Sequence, residues 1–207
     1  TRVEMLAQFF VHDENGWRLK GHARDPFFRW LASWGMSVKK PSDIGYQDDG
    51  YDLPPLSIRL QTVESDYTPS GQLFAVGLKG ITDRSRVRRD TLFARVEKAA
   101  ELVRDEPWQQ WLCWVGLNDE GRELKRRLHE AMLVEGSQTP DEKAAAIMAF
   151  VDETSPTLIS KPSITGHGLN LQCCSRMVFV GLSDSFEQYY QCIRRCWRFG
   201  QTQPVTA

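Results

Sequence analysis

Nowhere among the 207 residues does a Gly-x-x-x-x-Gly-Lys-Ser/Thr loop occur, so the usual backbone cradle for a triphosphate is missing. No Cys-x-x-Cys pair is present either. The cysteines are Cys113, Cys173, Cys174, Cys192 and Cys196, an odd number that argues against a disulfide framework and for a reducing, cytoplasmic setting. His167 lies between glycines without a Cys or His cluster at ligand spacing, so no metal site is expected. No apolar run approaches the length of a membrane span, and no basic-then-apolar leader opens the chain. Charge of one sign is also lacking: 26 Lys and Arg against 27 Asp and Glu leave a formal net charge of −1. Contact with a polyanion must therefore come from a local patch. Internal repeats and low-complexity tracts are absent. The first residue is Thr1 and not Met, as expected of a piece of something longer.

The C-terminal half alternates between two periodicities. Trp111–Val115, Met132–Val134, Thr157–Ser160 and Met177–Val180 are short apolar runs with the length of buried strands. Between them lie helical patterns. Asn118 or Asp119 is placed to cap one whose Leu124 and Leu128 fall at i and i+4. Thr139-Pro140-Asp141-Glu142 opens another as a capping box, with Ala146, Ile147 and Phe150 on its apolar face. Because Asp141 and Glu142 open a helix, they do not form a magnesium-binding box at a strand end. A last helix is predicted over 185–197. Strands alternating with helices predict an α/β fold, a parallel sheet covered on both faces with its working loops beyond the strand C-termini.

The N-terminal half is less regular. Phe27, Trp30, Leu31 and Trp34 predict an amphipathic helix over 25–37, with both tryptophans in a core. Pro54-Pro55 makes a stiff connector, and 57–64 alternates like a strand through Ile58, Leu60 and Val63. Leu92, Val96, Ala99 and Val103 predict one long helix over 86–105, whose start carries the basic run Arg84, Arg86, Arg88 and Arg89, a solvated face. The expected division is a connector over 1–56 and an α/β lobe over 57–207. Cys173-Cys174 and the Cys192/Cys196 pair are expected to be small buried apolar groups.

The densest chemistry lies in Gln191-Cys192-Ile193-Arg194-Arg195-Cys196-Trp197-Arg198-Phe199-Gly200-Gln201. Arg195 and Arg198, three apart, share one helix flank, and Tyr189, Cys192 and Cys196 give that helix an apolar stripe that sets its direction. Two guanidinium forks delivered together suit a phosphate. Upstream, Gly166-His167-Gly168-Leu169-Asn170-Leu171 follows Ser160-Lys161. Glycines there permit close approach of backbone, and a helix start offers N–H groups to a phosphate.

The run Gln-x-x-x-Arg-x-x-Arg-x-Gly-Gln resembles motif VI of the superfamily 2 helicases and translocases, most closely the Swi/Snf-like branch. Residues 135–150 resemble that family's Asp-Gly-Ser-Thr segment, 158–172 its motif V, and 111–117 the strand of motif IV. These segments stand in family order over about 107–203. Leu53-Pro54-Pro55 resembles the crossing into the second lobe, and residues 1–52 are similar to the connector of phage-type helicases. The resemblance implies a second RecA-like lobe. It implies Arg195 and Arg198 as catalytic fingers on the γ-phosphate of ATP, with Gln191 as a polar ATP-binding neighbour. It implies Ser160, Lys161, Thr165 and Gly166 as nucleic-acid-binding residues, with Asn170 tying the loop internally.

The partners it implies are double-stranded DNA, held by its backbone, and a first lobe that holds ATP and Mg²⁺. The parent would be an ATP-dependent helicase or translocase, and this chain alone would be inactive and bind no cofactor. The alternative is a non-catalytic nucleic-acid-binding or regulatory module of the same fold. Two departures from the family pattern stand out: Arg194 replaces a usual Gly or Asp, and Trp197 replaces a common His. The motif V loop is also one residue longer and contains Pro162.

Overall fold

The computed structural model describes residues 2–14, 16–64, 81–166 and 168–207, with the backbone alone for 81–84. Two compact units divide the chain, Thr1–Tyr51 and Asp52–Ala207. In the first, helix α1 (Arg2–Phe9) leads into an antiparallel hairpin of β1 (Phe10–Asp13) and β2 (Gly16–Leu19), with Phe10 opposite Leu19. Gly16 turns the hairpin at φ 98°, a conformation costly for any side chain. Helix α2 (Arg24–Ala32) is shorter than the 25–37 expected. Phe27 and Trp30 lean on Phe9 with ring centroids 5.4 and 5.6 Å away. The tryptophans depart from their expected burial: Trp30 is 38% exposed and Trp34 65%. Trp34 lies just past the helix end at Ala32; its ring still meets Trp30 with centroids 5.3 Å apart, and both stand on the solvent side of the flank.

The second unit is built on six parallel strands: β3 (Leu56–Ser57), β4 (Trp111–Trp114), β5 (Met132–Val134), β6 (Thr157–Ser160), β7 (Arg176–Phe179) and β8 (Val205–Thr206). Their order is β3-β8-β7-β4-β6-β5. The central strand β4 pairs with β6 on one side and β7 on the other, Cys113 lying between Ile159 and Val178. All four β4 residues are buried, as a strand covered on both faces requires. Trp111 and Cys113 face the helices α4 (Leu92–Asp105) and α5 (Asn118–Arg127). Leu112 and Trp114 face α6 (Pro140–Val151) and α8 (Phe186–Cys196). Among the described residues no helix is long and apolar enough to cross a membrane.

Local chemistry sets the element ends. Thr139 Oγ1 accepts from Glu142 N at 3.3 Å while the Glu142 carboxylate accepts from Thr139 N at 2.8 Å, the capping box that the residues predict. The start of α5 differs from expectation. Neither Asn118 nor Asp119 caps it. Glu120 does, accepting from Gly116 N at 2.7 Å and Leu117 N at 3.0 Å. The helix predicted over 86–105 is two helices, α3 (Ile81–Asp90) and α4, broken at Thr91. The Thr91 hydroxyl donates to Val87 O at 2.7 Å beside the backbone bond that the same carbonyl accepts from Thr91 N at 2.9 Å, and the Arg95 side chain reaches back to Arg88 O. The strand predicted over 57–64 forms a regular ladder only at Leu56–Ser57, with one further bond from Arg59 N to Ala207 O at 2.7 Å. Past that ladder Leu60 is 93% exposed.

One buried ion pair escaped the sequence reading. Glu120 is fully buried, and Arg95 of α4 reaches it at 2.6 Å while also donating to Val180 O. A β-carbon on Gly181 would lie 2.5 Å from Glu120 Oε2, so only glycine leaves room for the carboxylate. Cys113, Cys174, Cys192 and Cys196 are buried, but Cys173 is exposed, contrary to expectation.

Replacing Glu120 by Ala leaves Arg95 unpaired and should lower the unfolding free energy by about 3–5 kcal/mol, read by urea denaturation. Burial pushes the Cys192 thiol up to about 12; Cys173, though open to solvent on one side, is partly desolvated by its neighbours and raised to about 11. Iodoacetamide at neutral pH should therefore label the folded chain slowly and at Cys173 alone, with the other thiols reacting only after denaturation.

Candidate functional site

Helix α8 owes its direction to its cap and its apolar face. Ser185 Oγ accepts from Gln188 N at 3.2 Å, and Cys192, Ile193 and Cys196 are buried against the sheet. Tyr189 meets Phe179 of β7 with ring centroids 4.9 Å apart. With that face committed to the core, Gln191 and Arg195 are brought to the flank beside the loop over 166–172. Arg195 Nε donates to Gln191 O at 3.0 Å and Nη2 to Gln191 Oε1 at 2.9 Å. Its Nη1 donates to Leu169 O at 3.1 Å, and Arg198 Nη1 reaches the same carbonyl at 3.3 Å. The loop answers through Leu171 N, which donates to Arg195 O at 3.0 Å.

Two cations thus share a single neutral acceptor. Burial first, and the Arg198 charge next, hold the Arg195 guanidinium below its ordinary value. Such a pair is short of negative charge and has N–H donors to spare. Arg194 stands apart from it, its guanidinium carbon 5.1 Å from the centre of the Trp197 ring. The structure therefore brings Gln191, Arg195 and Arg198 together.

Past α8 the chain reverses at Gly200, φ 89°, and the buried Gln201 pins the turn. Its Nε2 reaches Gln172 O and Cys174 O at 3.0 Å each and Cys196 O at 3.3 Å. This role was not read from the residues; only the Gly-Gln pair that closes the motif VI run hinted at it.

The other predicted residues fall at the C-terminal ends of β4, β6 and β7. There a cavity of about 260 Å³ is lined by Arg88, Gly116, Lys161, Ser163, Gly181 and Gln188, among others. Lys161 lines it as expected for a polar contact. Ser160 and Thr165 do not: both are fully buried, because Ser160 ends the central sheet and Thr165 closes the short helix α7 (Pro162–Thr165). Gly166 is buried too, and a β-carbon there would sit 2.2 Å from Pro162 O. Lys161 and Ser163 are accessible on this loop, the latter supplied by a helix that the sequence did not announce. Among the described residues Thr165 Oγ1 and Gln172 Oε1, both buried, meet no hydrogen-bond partner. Asn170 is exposed and makes no side-chain bond among the described residues, so it does not tie the loop. His167 lies outside the described residues. Among the described residues no group of His, Cys, Asp or Glu could hold a metal ion.

The model of the helicase conserved C-terminal domain matches residues 94–200. No curated protein matches the chain. Among solved structures, it is similar to the C-terminal part of the Fun30 ATPase domain at 19% identity, covering 55% of this chain and 39% of that one, TM-score 0.49. Dbp5 of S. cerevisiae, bound to RNA and ADP BeF3, is 20% identical over 56% of this chain and 32% of that one, TM-score 0.48. A DEAD box protein of the hyperthermophile Methanococcus jannaschii is 18% identical over 55% and 31%, TM-score 0.47. The chain thus spans 39% or less of the length of each of these.

Replacing Gln201 by Leu takes the side-chain donor from Gln172 O and Cys174 O, while Cys196 O keeps Arg198 N, and should cost about 1–3 kcal/mol of stability. Thermal melts should show the loss, and amide exchange should rise first around Gln172 and Cys196.

Proposed function

The chain belongs to the helicase conserved C-terminal domain family, as the RecA-like C-terminal lobe of a superfamily 2 helicase, and from that premise we propose that it completes an ATP site held mainly by a separate first lobe. The observation that carries this reading is the convergence of Arg195 and Arg198 on one carbonyl, Leu169 O. A carbonyl satisfies a guanidinium only weakly. A phosphate offers full negative charge and matching geometry, and draws both forks away from it. ATP, with Mg²⁺ on the first lobe, supplies the phosphoryl group and its charge when bound.

What this chain's residues do follows from their contacts. Arg195 and Arg198 place positive charge where it builds up during phosphoryl transfer. Gln191 orients Arg195 through its side-chain oxygen and its backbone carbonyl. When the guanidiniums leave, Leu169 O loses both side-chain donors, while Leu171 N stays bonded to Arg195 O. The loop is then free to shift about that remaining bond. Because the same loop begins at Lys161, a change at the arginines reaches the cavity where Lys161 lies.

Lys161 and Ser163 grip a nucleic-acid backbone there. The buried hydroxyls of Ser160 and Thr165 shape the loop from beneath. Backbone contacts of this kind carry no sequence preference, and the substrate is double-stranded DNA, moved along in the Swi/Snf-like manner. Alternate tightening and release at the two ends of one loop converts hydrolysis into translocation.

In the two-lobed parent, Arg195→Ala and Arg198→Ala should each lower kcat by about 10³–10⁵. The isolated chain should hydrolyse no ATP with or without DNA; DNA-stimulated hydrolysis by the chain alone would overturn the assignment. Lys161→Ala should weaken duplex binding uniformly across sequences and reduce the slope of log K against log salt by about one. Tighter binding to single-stranded RNA than to duplex DNA would reassign the substrate.

A further inference from the structure

Leu53-Pro54-Pro55 enters the second unit with two consecutive residues that have no backbone N–H, so it can be anchored there only through carbonyls. Both are used. Pro55 O accepts from Val205 N at 2.9 Å, joining the segment to the β8 edge. Pro54 O accepts from the indole Nε1 of Trp197 at 2.8 Å, a bond that spans 143 residues of chain.

Trp197 stands at a sensitive place. It is the residue at which α8 stops, its N–H donating to Ile193 O at 2.9 Å and its backbone turning to φ −87° and ψ 80°. Arg195 lies before that turn and Arg198 directly after it. A rotation of the backbone at Trp197 therefore changes the angle between the two guanidinium stems. The ring itself is fixed at two points, by Pro54 O at its N–H and by Arg194 against its face. The prolines on the other side of the bond have restricted φ, so the segment carries displacement with little loss to bending.

We infer that Trp197 is a positioning residue, linking the Leu53-Pro54-Pro55 segment to the finger-bearing end of α8 so that movement of this segment sets the relative placement of Arg195 and Arg198. Nothing is bonded to substrate by Trp197 itself. Its N–H holds the turn between the arginines in the register that lets both reach one acceptor. The functional consequence rests on the reading of Arg195 and Arg198 as phosphate ligands; the mechanical link does not.

Trp197→Phe keeps a smaller aromatic ring beside Arg194 and removes the donor, so that loss of the bond is tested with most of the aromatic contact in place. In the chain itself, hydrogen exchange followed by NMR should show the amides of Trp197, Arg198 and Gln201 opening roughly threefold to tenfold faster, as loss of one hydrogen bond implies, while those of β4 and β6 are unchanged. In the two-lobed parent the same variant should lower kcat by a similar factor and leave the KM for ATP where it was, since fewer arginine pairs reach the productive arrangement. Should the Phe variant fold poorly, Pro54→Gly leaves α8 whole and loosens only the acceptor, and the same amides should respond.

Unchanged exchange at Trp197 and Arg198 overturns the link. An unchanged kcat for Trp197→Phe, when Arg195→Ala lowers it, overturns the positioning role and leaves the arginines in theirs. If Arg195→Ala also leaves kcat unchanged, the phosphate-ligand reading fails, and the exchange arm still decides the link.

Discussion

The buried carboxylate of Glu120 is the constraint on which the working edge of this lobe depends. It caps α5 through Gly116 N and Leu117 N, and it pairs with Arg95 of α4. Arg95 in turn donates to Val180 O at the end of β7, to Thr91 Oγ1 at 3.1 Å and to Arg88 O. One buried charge thereby joins the C-terminal ends of β4 and β7 to both helices on one face of the sheet. Burying a carboxylate is expensive, and the expense is offset only when every lone pair finds a donor in good geometry. Meeting that demand excludes a side chain at Gly181 and brings α3 back against the strand ends. The cavity beside Lys161 is lined by Glu120 itself together with Gly116 and Gly181.

Around α8 the logic is different, since nearly every important bond there is a side-chain donor meeting a main-chain carbonyl. Arg195 and Arg198 use Leu169 O, Gln201 uses the carbonyls of Gln172, Cys174 and Cys196, and Trp197 uses Pro54 O. Bonds of this type are worth little individually and are readily exchanged for stronger acceptors. That suits the proposal that Arg195 and Arg198 give up their carbonyl for a phosphate. The bonds of Gln201 are buried and hold the turn, whereas those of Arg195, Arg198 and Trp197 are only half-buried. Permanence and exchange are thus separated by solvent access along a single helix end.

Legibility in the sequence followed the range of the interactions. Thr139, Pro140 and Glu142 announced α6 because a capping box closes within one turn. Trp111–Trp114 and Thr157–Ser160 announced buried strands because continuous apolar runs of that length have few other uses. The arginine pair was legible in residue type and spacing. Misreadings arose where a distant group decided the outcome. The alternation over 57–64 was sound, but a strand needs a neighbour, and among the described residues the pairing reaches only to Arg59. The register of Leu92 to Val103 was right, but nothing local distinguished Thr91 as a break. Ser160 and Thr165 had suitable chemistry for a nucleic acid, yet the sheet and α7 enclose both.

Composition, periodicity and capping, all settled within a few residues of chain, were enough to determine a parallel α/β lobe and the arginine helix that marks its family. Which groups on that lobe are accessible, and which acceptors the arginines hold, were decided only by packing between segments far apart in the chain. Solvent access and the offer of a carbonyl are properties of a neighbourhood, and α8, the loop at Leu169 and the prolines at 54 and 55 become neighbours only when the sheet has formed.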